Sequence, residues 1–284
     1  MDEQRDASLE KRVERLEARV QELQQVIRDL KERPVRDPAG TEQPPARPAG
    51  LCFVLLLALC LFLLGAGMQP WTAGHTLILI SLDGVGWDYP ERFEMSHLLR
   101  LGSEGVRARA LIPVYPTETF PSHYSIVTGL FPEDHGLISN TMYDPEFDAV
   151  FRIRNSNAVT DPRWWGGEPI WATAKRQGLV TATYFWPGTD VKIGGMRPDY
   201  WYSFDPSVSR QARIEQLFQW LDMPPSSRPS LITQYFGQVD KAGHDFGPEA
   251  AQTRRAAAQV DGILGDILRG IEERGVQDEV NLMV

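Results

Sequence analysis

An eighteen-residue run without a charge, LCFVLLLALCLFLLGAGM at 51–68, splits the chain into segments that have to be read separately. At ~1.5 Å of rise per residue, a helix of that length just spans the hydrocarbon core of a bilayer. The run predicts a single transmembrane helix rather than a buried core helix. A secretory signal peptide fits poorly, because fifty residues precede the run. Lys31, Arg33, Arg36 and Arg47 stand before it, whereas the twenty residues after it hold neither Lys nor Arg. By the positive-inside rule the N-terminus is expected in the cytoplasm, and everything after about residue 70 on the extracytoplasmic side.

Two unlike pieces make up the expected cytoplasmic part. Leu9, Val13, Leu16, Val20, Leu23, Ile27 and Leu30 alternate spacings of four and three, which keeps one apolar seam on a helix. With valine and isoleucine at a positions and leucine at d, the pattern over 1–33 predicts a coiled coil forming a parallel homodimer through residues 9–30. Pro34 ends it. Residues 34–50 carry five prolines with Gly, Ala and Arg, the composition of an extended linker.

From residue 76 onward the patterning changes to short, continuously apolar runs alternating with amphipathic stretches. TLILISLDG at 76–84 reads as a strand buried on both faces, LVTATYFWPG at 179–188 and SLITQYFGQ from 230 as further strands, and VNLMV at 280–284 as the start of one more buried strand. A further strand is expected around 107–114. Helices are expected at 97–108, from PSHYS to Gly129, at 168–178, over SRQARIEQLFQWLDM, and from 250 to 275. Strands alternating with helices specify an α/β fold, a mostly parallel sheet with helices on both faces. The formal charge of −9 and the lack of a basic stripe argue against binding to a nucleic-acid polymer. Cys52 and Cys60, the only cysteines, both lie in the apolar run and define neither a disulfide framework nor a zinc knuckle.

Three places in the α/β segment carry candidate chemistry. Asp83 ends the first strand, where open parallel sheets bind their ligands, although a turn aspartate there is equally ordinary. PTETFPSHYS at 116–125 places two threonines at a helix start whose free amides favour an anion, and Thr117 and Thr119 compete for the role of nucleophile. Asp240 and His244, on a loop expected after a late strand, are a carboxylate and imidazole suited to a borderline divalent ion such as zinc. None of the three decides a function alone; all three fall at strand ends or adjoining helix starts.

Taken together, LILISLDG, PVYPTETFPSHYSIVTGLFPEDHGLISNTMYDP, GEPIWATAKRQG, TYFWPGTDV and VDKAGHDFGP resemble the nucleotide pyrophosphatase/phosphodiesterase family of the alkaline phosphatase superfamily, over residues 76–284. The resemblance implies an alkaline phosphatase-like domain hydrolysing nucleotide pyrophosphate or phosphodiester bonds to nucleoside 5′-monophosphates through a threonyl intermediate. It implies two Zn2+ ions, one site receiving Asp83 and Thr119, the other Asp240 and His244. Thr119 matches the nucleophile, and Asn140 the side chain that helps hold a nonbridging phosphate oxygen. Phe120, Trp186, Pro187, Phe204 and Tyr235 match the lining of a nucleoside pocket, while core packing is the ordinary fate of such aromatics.

Two departures accompany the match. Relatives add an Asp-His pair in Ser-Asp-His-Gly form after a late strand, and a later histidine. Here the sequence ends on VNLMV, and of the five histidines only His244 matches a ligand. The expectation is a C-terminally truncated domain with an incomplete ligand set, weak metal retention and little catalysis. Glu118 stands where many relatives carry lysine. A second hypothesis is a non-catalytic membrane-anchored coiled-coil protein with a degenerate phosphodiesterase domain. A third keeps the superfamily fold with phosphomonoesterase or lipid phosphodiesterase chemistry.

Overall fold

The computed structural model describes residues 75–284. The expected coiled coil, linker and transmembrane helix lie outside the described residues, among which no helix is long and apolar enough to cross a membrane.

The strands are β1 (Thr76–Leu82), β2 (Thr141–Asp144), β3 (Ala149–Arg152), β4 (Thr181–Tyr184), β5 (Tyr200–Tyr202), β6 (Leu231–Phe236) and β7 (Val280–Met283). Five of them form one sheet in the order β5-β4-β6-β1-β7, with every neighbouring pair parallel. β2 and β3 form a separate antiparallel hairpin. The longer helices are α1 (Ser96–Glu104), α2 (Thr119–Thr128), α3 (Ile170–Arg176), α4 (Arg210–Leu221), α5 (Gln238–Phe246) and α6 (Ala251–Arg274).

The unbroken apolar run of β1 follows from its two covered faces. Ile78 and Ile80 pack into a cluster with residues of α4, α5 and α6, including Leu217, Val239 and Ile263. Leu77 and Leu79 turn the other way, against Tyr124 and Val127 of α2 and Trp171 of α3. Each fully buried side chain of this kind contributes roughly 1.5–3 kcal/mol, so alternate residues of one strand hold both helical layers. Helix ends are specified locally and at long range. Ser209 caps α4 by accepting from the Ala212 amide at 3.1 Å. Asp261, buried on α6, accepts from the first-turn amides of His97 (3.1 Å) and Leu98 (2.9 Å) of α1.

Three expectations need correction. Residues 107–114 form no strand; among the described residues none lies alongside to complete a ladder, and Leu111 and Ile112 are exposed. VNLMV does form a strand, but at the sheet edge with only alternate residues sheltered, so it is not buried on both faces. Asp240 and His244 sit on a helix rather than a loop, since α5 begins two residues after β6. The β2–β3 hairpin and the short edge strand β5 had no expectation at all. Asp144 explains the hairpin turn, its carboxylate accepting from the amides of Glu146 (2.7 Å) and Phe147 (3.1 Å).

Candidate active site

β1 and β6 run side by side with Ser81 opposite Tyr235 and Leu82 opposite Phe236, so both chains leave the sheet at the same level. Asp83 follows immediately. Its amide donates to the Phe236 carbonyl at 2.9 Å, and its carbonyl accepts from the Asp240 amide at 3.0 Å. The next residue, Gly84, has φ +76° and lies so close to α5 that an added Cβ would stand 2.5 Å from both the Asp240 Cα and N. Glycine is required here twice over, for the left-handed backbone and for the close approach. The two aspartates are therefore linked through main chain.

Thr119 opens α2 after Glu118, which is extended at φ −124° and ψ 159°. The Thr119 hydroxyl donates to Asp83 Oδ2 at 3.1 Å, and the Tyr235 hydroxyl donates to the same oxygen at 2.8 Å. Burial, together with the Asp83 charge, pushes the Tyr235 phenol well above its ordinary pKa, so it remains a donor. Thr117 faces elsewhere: it is exposed and its hydroxyl donates to the Val114 carbonyl at 3.2 Å. Asn140, just before β2, accepts from the Phe120 amide through Oδ1 at 3.0 Å, which leaves its NH2 group free of that contact.

Beneath the first turn of α2 lies His123, whose role the sequence reading did not anticipate. Nδ1 lies 2.7 Å from the Thr119 carbonyl and Nε2 lies 2.7 Å from Ser81 Oγ. A carbonyl only accepts, so Nδ1 carries the proton. Burial is the largest influence on this ring and lowers its pKa against the opposing pull of Asp83, so neutral imidazole accepts from Ser81 through Nε2. Trp186 and Tyr235 pack edge-on against it, with ring centroids 5.4 and 5.1 Å away. The signal was present in the sequence: His123 is one helical turn after Thr119, and Ser81 two residues before Asp83 on one strand.

Asp240 Oδ1 and His244 Nε2 are 3.4 Å apart on successive turns of α5. Burial, then the nearby Asp83 charge, raise the pKa of Asp240, while His244 and His123 oppose the shift. Two carboxylates crowded in this way are a favourable setting for a cation. Asp83 with Thr119 and Asp240 with His244 offer oxygen and imidazole donors that suit a divalent ion in kind. Among the described residues, however, no three His, Cys, Asp or Glu side chains converge to surround one.

The expected pocket residues separate. Trp186 is 2% exposed and donates through Nε1 to the His123 carbonyl at 3.1 Å; Pro187 is buried beside it. Tyr235 is buried with its hydroxyl on Asp83. Phe120 is half-buried against Phe151 and Trp165, and Phe204 alone is largely exposed, 6.4 Å from the Tyr235 ring.

Comparison with known proteins finds relatives over most of the chain. A venom phosphodiesterase of Crotalus durissus collilineatus is 41% identical over 210 residues, covering 73% of this chain and 25% of the relative. Human ectonucleotide pyrophosphatase/phosphodiesterase family member 1 is 41% identical over 209 residues, covering 73% and 22%. The chain thus spans about a quarter of the length of the curated relatives it matches. Among solved structures, an inactive variant of murine ectonucleotide pyrophosphatase/phosphodiesterase 5 in complex with AMP superimposes with a TM-score of 0.69. It is 31% identical and covers 73% of this chain and 55% of that one. A sequence model of the same family matches residues 77–284, from the start of the first strand to the last residue, and the chain belongs to the type I phosphodiesterase / nucleotide pyrophosphatase family.

Proposed function

We propose that the α/β unit hydrolyses phosphodiester or pyrophosphate bonds of nucleotides and releases nucleoside 5′-monophosphates, with Thr119 as nucleophile. One observation carries the reading: the Thr119 hydroxyl, at the first turn of a helix, is aimed at a carboxylate that sits beside a second, destabilised carboxylate. The Thr119 oxygen would bond to phosphorus as the bond to the leaving-group oxygen breaks, giving a phosphothreonyl ester of the nucleoside that water then cleaves. The chain's own groups orient this step. Tyr235 fixes the Asp83 oxygen toward Thr119, the His123 imidazole holds the Thr119 carbonyl, and the Asn140 NH2 group with the Thr119 amide meets a nonbridging oxygen.

Asp83 with Thr119, and Asp240 with His244, are the donors we assign to two zinc ions. Bound there, the ions supply positive charge that lowers the pKa of the attacking hydroxyl and offsets charge on the phosphoryl oxygens. The positively charged residues before the 51–68 run, and the ectoenzyme names of relatives, support an extracytoplasmic position for the unit on a single-pass anchor. Pairing through residues 9–30 belongs to the same proposal.

Thr119→Ala is the direct test. It should abolish turnover of a p-nitrophenyl nucleotide ester, and a chelator should do the same to the unaltered chain. Persistent, chelator-resistant turnover in the variant refutes the assignment. A second reading, nucleotide binding without turnover, draws on the unclosed donor pairs. It predicts AMP binding by an unaltered chain that releases no p-nitrophenol.

A further inference from the structure

Glu118 precedes the proposed nucleophile, yet its side chain does not cap α2. The carboxylate instead reaches across to the segment leading into β2. Glu118 Oε2 accepts from the Asn140 amide at 2.6 Å, and both oxygens accept from Ser139 Oγ, at 3.2 and 3.1 Å. The Ser139 hydroxyl is fixed in turn, since its oxygen accepts from the Thr141 amide at 3.1 Å. Asn140 completes the circuit by accepting from the Phe120 amide at 3.0 Å, two residues beyond Glu118. On its far side the Asn140 carbonyl accepts from the Ile153 amide at 3.1 Å, next to β3.

We infer that Glu118 is the residue that positions Asn140 over Thr119, clasping the 139–141 segment to the first turn of α2. The physical argument rests on the rotational freedom of the asparagine amide. Without Glu118, Asn140 is held by its Oδ1 contact and by its carbonyl on the Ile153 side, and the segment facing α2 is free to shift. With its backbone amide also tied to the Glu118 carboxylate, that segment is fixed against α2 and the NH2 group keeps one direction. Charge-assisted bonds of this kind are about twice as strong as neutral ones, so the acid at 118 serves the clasp better than an amide or hydroxyl. A lysine at 118 would have no acceptor to offer Ser139 or Asn140.

The inference rests on the hydrolytic reading for its catalytic consequence, and the experiment separates the two. With the full chain and the p-nitrophenyl ester of thymidine 5′-monophosphate, Glu118→Ala should lower kcat about tenfold to a hundredfold with KM within about twofold, since a lost oxyanion donor costs about a hundredfold or more. Glu118→Gln, which keeps one acceptor, should stay within about threefold of the unaltered chain. In an Asn140→Ala background, Glu118→Ala should cost no more than about twofold, because the group it positions is gone. Hydrogen exchange of the 137–142 amides should accelerate in Glu118→Ala at an unchanged melting temperature. Independent, multiplying losses in the double variant, or an unchanged kcat in Glu118→Ala, overturn the inference. If the unaltered chain shows no turnover, the hydrolytic reading fails, and AMP affinity with amide exchange then decides. Faster exchange at 137–142 in either background, with a loss of AMP affinity that is absent from the Asn140→Ala background, upholds the clasp; unchanged exchange and affinity reject it.

Discussion

Replacing Gly84 by alanine tests whether main-chain contact sets the spacing of the two aspartates. A left-handed backbone costs a residue with a Cβ about 1–2 kcal/mol, and Gly84 has φ +76°. The new methyl would also stand 2.5 Å from the Asp240 Cα and N, atoms of a helix that cannot swing aside as a side chain would. Such overpacking costs about 1–3 kcal/mol. Moving Asp240 away further breaks its 3.0 Å amide bond to the Asp83 carbonyl, worth about 0.5–1.5 kcal/mol. The combined loss of about 2.5–6.5 kcal/mol corresponds, in a domain of this size, to a fall of about 5–25 °C in melting temperature. Where the variant still folds, displacing one carboxylate by about 1 Å should reduce turnover about a hundredfold. Gly243→Ala is the matched control on the same helix, because no atom lies within 4 Å of its added Cβ and alanine there gains up to about 1 kcal/mol. Circular dichroism melts and p-nitrophenyl ester turnover read both effects. A Gly84→Ala protein that melts within about 2 °C of the unaltered chain and turns over normally would refute the reasoning.

Three other outcomes follow from the same geometry. Zinc in hundredfold excess over its Kd should stabilise the chain by about 2.7 kcal/mol, or about 5–10 °C; Asp240→Asn should remove most of that gain, and a melting point indifferent to zinc would count against both donor pairs. Tyr235→Phe removes the 2.8 Å bond to Asp83 and should weaken zinc binding about tenfold in a calorimetric titration, whereas affinity within about twofold would assign Tyr235 to packing alone. Burial holds the His135 pKa below its ordinary 6.5, so the unfolded chain takes up the proton first. Stability is then complete above pH 6.5 and falls as the pH drops below it; His135→Gln should flatten that slope in urea melts, leaving the part due to His123, which has the same sign. An unaltered slope would mean His135 is not the buried neutral group drawn here.

The layered fold was legible because β1 is covered on both faces and reads as a near-continuous apolar run, β4 and β6 are mostly apolar, β-branched or aromatic, and α4 and α6 keep one apolar stripe each. Failures occurred where pairing, not composition, decides. Residues 107–114 carry strand-forming side chains but lack a neighbour among the described residues, and a strand without a ladder is only an extended segment. β5 is three residues long and takes its existence from β4, alongside which Tyr202 stacks on Tyr184 at 4.6 Å. No local pattern announces such a partner.

For the candidate site the division is similar. Asp83 could be placed from its strand-end setting and the two threonines from a helix start, whereas Asn140 came only with the family resemblance; the choice between Thr117 and Thr119, open in the residues alone, is now a difference in direction: one hydroxyl meets Val114, the other Asp83. What no spacing revealed is how the halves are joined. The sheet register sets Leu82 beside Phe236, the chain beyond each strand turns at once, and the Asp83 carbonyl receives the Asp240 amide. Backbone bonds of this sort form whatever side chains the two positions carry and whether or not a cation is present. The burial and, after it, the Asp83 repulsion that raise the Asp240 pKa are consequently built in by the fold before any ligand arrives. Preorganisation of that kind costs stability in the free chain and returns it on cation binding, so the carboxylate pair is best understood as strain kept for a ligand rather than as a contact that holds the fold.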